Sequence, residues 1–244
     1  MCYYSSISVS FKIIEDRFGA RFIQTESFKP VCSVCGFNFP ELPVITNEDD
    51  QHIVSLRWGL IPFWVKDSES AAIMREKTLN ARSETVFEKP SFRDAIMSKR
   101  CLVLVDGFFE WRHENKKTYP YYIRLNSHAP FAFAGIWDSW KNPETQEQVK
   151  TYSVITTKAN SLVEKIHNVQ KRMPVILPKE ADKIWLQGNL DRGRIQSMLK
   201  PYDPDEMEAY PVSRMVDKIG FNTEHPEVRD RQEYPDLSEQ IILQ

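Results

Sequence analysis

The run Cys101-Leu-Val-Leu-Val105 constrains this chain more than any other stretch. It is continuously apolar and rich in β-branched and branched residues, and it is far too short for the ~20 residues of a membrane span. Such a run reads as a strand buried on both faces. It passes directly into Asp106-Gly-Phe-Phe-Glu110-Trp111. A Glu at the end of a buried strand, set between aromatics, has its ionised form desolvated. Its pKa should rise, which suits it to general acid/base work. The residues alone leave open a surface Glu on an alternating strand.

A chain of 244 residues with 41% hydrophobic and 12% aromatic residues can bury a sizeable core. Only eight glycines argue against a Gly-rich phosphate loop. No segment approaches a membrane span, and no basic region followed by an apolar core opens the chain. A soluble cytoplasmic protein is expected, and its four cysteines are expected as thiols. The net charge of -2 hides an asymmetry: residues 201–244 carry 11 acidic and 4 basic residues, a net of -7, which leaves +5 on residues 1–200. A basic body fits a polyanionic partner, and an acidic stretch fits a solvated tail.

Strands are expected over residues 3–10, 42–46, 53–58, 119–125, 131–136, 152–156 and 211–216, and helices over 11–22 (ended near Gly19), 84–99, 179–186 and 191–199. Segments 119–125 and 131–136 read as a hairpin. With no linker and no repeat, one domain over 1–220 is expected, followed by a polar acidic tail over 221–244. Cys32-Ser-Val-Cys35 lacks the four ligands of a structural zinc site unless Cys2 and Cys101 complete it. It runs into Gly36 and two prolines rather than a helix, so a redox motif is disfavoured as well. No metal and no cofactor are expected. The aromatics of Trp58-Gly-Leu-Ile-Pro62-Phe63-Trp64 serve either as core anchors or as surfaces that stack on bases.

Cys2 offers distinctive chemistry. Removal of Met1 would leave an α-amine and a thiol on adjacent carbons, titrating near ~8 and ~8.5. The amine can condense with an aldehyde to a Schiff base, and the thiol can close on that imine to give a thiazolidine. His167, in Ile166-His167-Asn-Val-Gln-Lys-Arg172-Met-Pro174, is a candidate acid/base with an ordinary pKa near neutrality.

Laid in order, Cys2, Trp58-Gly-Leu-Ile-Pro62, Leu79-Asn80-Ala-Arg82-Ser-Glu84, Arg100 to Trp111, Ile166-His167, Arg172-Met-Pro174 and Pro211-Val-Ser213 resemble the SRAP family of SOS-response-associated peptidases and abasic-site processing proteins. The resemblance implies an α+β domain built mainly from antiparallel strands in a curved, barrel-like sheet with peripheral helices. It implies covalent capture of abasic sites in single-stranded DNA through a thiazolidine at Cys2, with removal of Met1 by the protein itself as a further activity. It assigns Asn80 to hold the α-amine, Glu110 to proton transfer and His167 to ring opening. Arg82, Arg172, Trp58, Pro62, Phe63 and Trp64 are assigned to DNA. A monomer, associated with the nucleoid when DNA-bound, follows. Members of the family commonly read Cys-Gly-Arg at the start, whereas this chain reads Cys2-Tyr3-Tyr4. A cysteine peptidase using Cys2 and His167, or a reversible single-strand-binding module, are the competing readings.

Overall fold

The structure, a computed structural model, describes residues 2–25, 28–217 and 224–237. In chain order the elements are β1 (Tyr4–Ile7), α1 (Phe11–Phe18), β2 (Arg21–Phe22), β3 (Val31–Cys35), β4 (Glu41–Thr46), β5 (Asp49–Trp58), α2 (Ser68–Lys77), β6 (Asn80–Arg82), α3 (Arg93–Ser98) and β7 (Arg100–Val105). They continue with β8 (Gly107–Glu114), β9 (Lys117–Leu125), β10 (Phe131–Lys141), β11 (Gln148–Lys158), α4 (Ser161–Ile166), β12 (Arg172–Pro174), β13 (Ile176–Leu177), α5 (Asp182–Trp185), α6 (Arg192–Met198) and β14 (Met207–Pro211).

β7 lies at the centre, as its composition requires: every residue is buried, and it is flanked antiparallel by β4 and β10. From there the sheet runs β11-β10-β7-β4-β5. It closes on itself where Arg57 and Trp58 of β5 pair with Thr151 and Tyr152 of β11. Closure removes the sheet's edges and encloses the main core. A second sheet, β14-β9-β8-β1-β3, packs beside it. The α+β, barrel-like expectation holds. No helix among the described residues is long and apolar enough to cross a membrane.

Several local expectations change. The helix expected over 84–99 is confined to Arg93–Ser98, because Pro90 removes a backbone donor and disfavours helical geometry at Lys89. Segments 119–125 and 131–136 are strands but not a hairpin: β9 pairs with β8 and β14, and β10 with β7, β11 and β13. The real hairpin is β8–β9, turned by Asn115 and Lys116 at φ 49° and 61°. Two left-handed residues fit a primed turn. The Asn-Lys pair lacks the Gly that normally announces it. The last strand ends at Pro211 rather than reaching Val216; residues Arg214–Asp217 form a 3-10 turn instead. By contrast, α1 stops where expected, at Gly19 in the left-handed conformation.

The described part of the acidic tail lies against the second sheet. Val228 and Leu237 are buried, Arg231 bridges to Val212, and the Arg229 guanidinium reaches Ser8 and Asp106.

Candidate active site

The site forms where the second sheet meets the barrel. Tyr4 of β1 pairs with Phe109 of β8, so the chain leading back to Cys2 runs alongside Glu110. β6 pairs parallel with β11 and sets Asn80 opposite Val154. α4, capped at its start by the Asn160 side chain, ends at Ile166, and this leaves His167 at its C-cap against β8. Gly107 is obligatory at the start of β8: a Cβ there would stand 2.2 Å from the Tyr122 hydroxyl.

Cys2 is fully buried and its Sγ lies 3.6 Å from the Tyr4 carbonyl oxygen. Burial, with the Glu110 carboxylate adding, pushes the thiol well above its ordinary value. Asn80 is 8% exposed and donates from Nδ2 to the Cys2 carbonyl at 2.9 Å. Its Oδ1 has no partner among the described residues.

Glu110 is 3% exposed, and burial pushes its carboxyl up to about 8. Oε1 has no hydrogen-bond partner among the described residues, while Oε2 lies 3.6 Å from His167 Nδ1. The same Nδ1 is 2.8 Å from the Arg172 carbonyl oxygen. A carbonyl only accepts, so Nδ1 carries the ring proton and Nε2 the lone pair. Burial lowers the imidazole to about 4. At neutral pH the pair is therefore a protonated carboxyl beside a neutral imidazole. The surface-Glu alternative is excluded.

The residues between His167 and Arg172 fold into a tight turn. Lys171 takes φ 54° and donates its N–H to the His167 carbonyl. Asn168 exchanges two hydrogen bonds with the backbone of His113 on β8. This turn pins the end of α4 to β8.

The structure brings Cys2, Asn80, Glu110 and His167 into one region, with Arg82 exposed at the end of β6. Other assignments need correction. Arg172 is buried and forms a two-toothed ion pair with Glu84 at 2.9 and 3.0 Å, and it also donates to the Thr156 carbonyl. It is spent inside the protein, where it fixes the carbonyl that orients His167. Trp58 is 1% exposed, donates from Nε1 to the Leu79 carbonyl and stacks on Tyr152; Pro62 is buried too. Both are core residues, unavailable to bases. Phe63 and Trp64 are exposed. The Phe63 N–H is held by Asp138, whose partner on β11 is Thr151, three residues from the level of Asn80. That offset is about 10 Å along the strands.

Two residues of the region carried no prior assignment. Glu84 lies within the Asn80–Glu84 motif but became meaningful only through Arg172. Tyr3 lies between the site and an adjoining cavity, and only its position next to Cys2 could have marked it. Among the described residues no group of three or more His, Cys, Asp or Glu could hold a metal ion. All four cysteines are free thiols. Cys32 is buried and Cys35 is partly exposed on β3.

Residues 1–219 match the family described as SOS response associated peptidase (SRAP). The "Abasic site processing protein YoqW" of Bacillus subtilis is 46% identical over 184 residues, spanning 75% of this chain and 79% of that protein. The "Abasic site processing protein HMCES" of Xenopus tropicalis is 33% identical over 199 residues, spanning 72% of this chain and 57% of that longer protein. A crystal structure of a Bacteroides thetaiotaomicron protein superposes with a TM-score of 0.90 at 40% identity, covering 95% of this chain and 100% of the other.

Proposed function

The chain belongs to the SOS response associated peptidase family, and from that premise we propose that it captures abasic sites in single-stranded DNA as a covalent thiazolidine at Cys2. One observation carries the reading: a buried Glu110, with its carboxyl pushed up to about 8, lies in one region with a buried thiol and 3.6 Å from the His167 imidazole. The names of the relatives support the substrate class.

Removal of Met1 exposes the Cys2 α-amine. The neutral amine adds to the aldehyde of the ring-opened sugar. Glu110 donates its proton to the departing hydroxyl, water leaves, and a protonated imine remains. The Glu110 carboxylate then takes the Cys2 thiol proton as sulfur attacks the imine carbon. Glu110 ends as it began, and the net change is the loss of one water. A carboxyl poised near 8 serves both halves of this cycle at neutral pH. Asn80 fixes the Cys2 backbone through its carbonyl, which leaves the partnerless Oδ1 to accept from the amine. The lone pair of His167 suits it to take the sugar hydroxyl proton during ring opening. Arg82, exposed at the rim, is suited to a phosphate.

A cysteine peptidase works through a thiolate beside an imidazolium. Here burial drives the thiol up and the imidazole down, opposite to that requirement. Incubation with single-stranded DNA bearing one abasic site should give an adduct that survives denaturation. A wild-type protein that gives none, or the same adduct from folded Cys2→Ala, would overturn the reading.

A further inference from the structure

A cavity of about 360 Å³ opens beside the Cys2 site, and the two share Asn80 and Arg82. Besides Leu79 and hydroxyl side chains that include Ser91, its remaining lining brings three kinds of group together. Tyr3, Met74 and Phe92 supply apolar and aromatic surface; Lys77 and Lys89 supply positive charge; Glu76 supplies one negative charge. Tyr3 is half-buried and packs against Phe37, itself 51% exposed, with ring centroids 4.6 Å apart. Its carbonyl accepts from the Gly36 N–H at 2.7 Å, which locks the backbone that carries the ring. Burial, and the nearby Glu110 and Cys2, keep the phenol protonated despite Arg82. An anchored aromatic ring, a polarizable Met and flanking cations are what a single-stranded nucleic acid engages: stacking takes the base, and the cations take the backbone. The volume falls within the range of small-ligand pockets.

Resting on the proposed capture of abasic DNA, we propose that this cavity receives the nucleobase next to the lesion, with Tyr3 as its stacking wall and Arg82, Lys77 and Lys89 on the adjoining phosphates. The lesion itself offers no base to bind. A pocket one nucleotide away supplies the missing grip and presents the sugar to Cys2. Stacking tolerates any base, so capture should be insensitive to sequence but sensitive to whether a neighbouring base is present.

The test uses single-stranded DNA carrying a tetrahydrofuran abasic analogue, which has no aldehyde, so that binding is read by anisotropy without chemistry. A second tetrahydrofuran then deletes the base on the 5′ or the 3′ side. For the wild type, deletion on one side should weaken binding about ten-fold. Tyr3→Ala should bind about ten-fold more weakly with both bases present and show little further loss on deletion. Tyr3→Phe should restore the sensitivity. Ser91→Trp, which adds bulk at a lining position, should abolish it independently of any change at Tyr3. Equal losses in wild type, Tyr3→Ala and Ser91→Trp, on both sides, would overturn the proposal. The underlying reading fails separately: a reactive abasic strand that yields no adduct while binding remains base-dependent would sink capture and keep the pocket.

Discussion

Two carboxylates four residues apart are treated in opposite ways. Asp106, at the junction of β7 and β8, accepts hydrogen bonds from Ser6 Oγ at 2.5 Å, Ser8 N at 2.7 Å and Ser8 Oγ at 2.5 Å, and the Arg229 guanidinium lies 3.7 Å away. Glu110, at least as deeply buried, keeps one oxygen partnerless among the described residues and faces a neutral imidazole. The first arrangement ties the end of β1 and the C-terminal segment together. The second leaves an acid short of partners, which raises its pKa and, under the proposed function, keeps it for a transient donor or acceptor. Buried charge by itself is no sign of function; under the proposed function the partner count separates the latch from the reagent.

That contrast can be broken at several points, and the largest effect is expected at Cys2 itself. Cys2→Ala should reduce the denaturation-resistant adduct below detection on gels. Cys2→Ser keeps the amine and should give only a Schiff base that borohydride traps. A stable adduct from either variant without borohydride would remove the thiol from the account.

Glu110→Gln should slow adduct formation by about 10²–10⁴-fold in single-turnover assays. The wild-type rate should decline above pH about 8, where Glu110 loses its proton, and the variant should lack that limb. The sign for stability is equally definite. A carboxyl with a raised folded-state pKa binds more protons folded than unfolded between about 4 and about 8, so its burial costs stability as pH climbs through that window. The melting temperature of Glu110→Gln relative to wild type should therefore rise from pH 5 to pH 8. His167 acts in the other direction: its lowered value makes stability fall as pH drops from about 6.5 toward about 4.

Asp106→Asn should show the reverse profile to Glu110→Gln. It should lose about 1–3 kcal/mol in denaturant unfolding, because its Ser and backbone donors lose a charged acceptor. Its adduct rate per folded molecule should stay at the wild-type value. A large rate loss would mean that the latch and the reagent are one unit. The smallest effect belongs to Arg82→Ala, which should weaken DNA binding a few-fold and lower the salt slope by about 1.

The candidate site was legible in the sequence to the extent that it rests on residue type and local burial. The apolar run ending at Val105 announced the central strand, and the aromatics around Glu110 announced its desolvation. Cys2 marked itself as a candidate through its position, and its burial beside Asn80 came from the fold. Partner choice was not legible. Arg172 looks like a phosphate ligand until the fold sets Glu84 against it across 88 residues. Trp58 looks like a stacking platform until barrel closure buries it on Tyr152. The β8–β9 hairpin, and with it the pairing of Glu110 with Tyr121, was hidden because Asn115-Lys116 takes left-handed geometry without a glycine. Each miss concerns which distant groups meet, and closure of the barrel settles that.

The most direct test is the mass of the crosslinked N-terminal peptide after digestion of the protein and the DNA. The account predicts a modification on a peptide that begins at Cys2, with Met1 gone and the sugar attached through loss of one water. A modification on a lysine, or on a peptide that retains Met1, would contradict it.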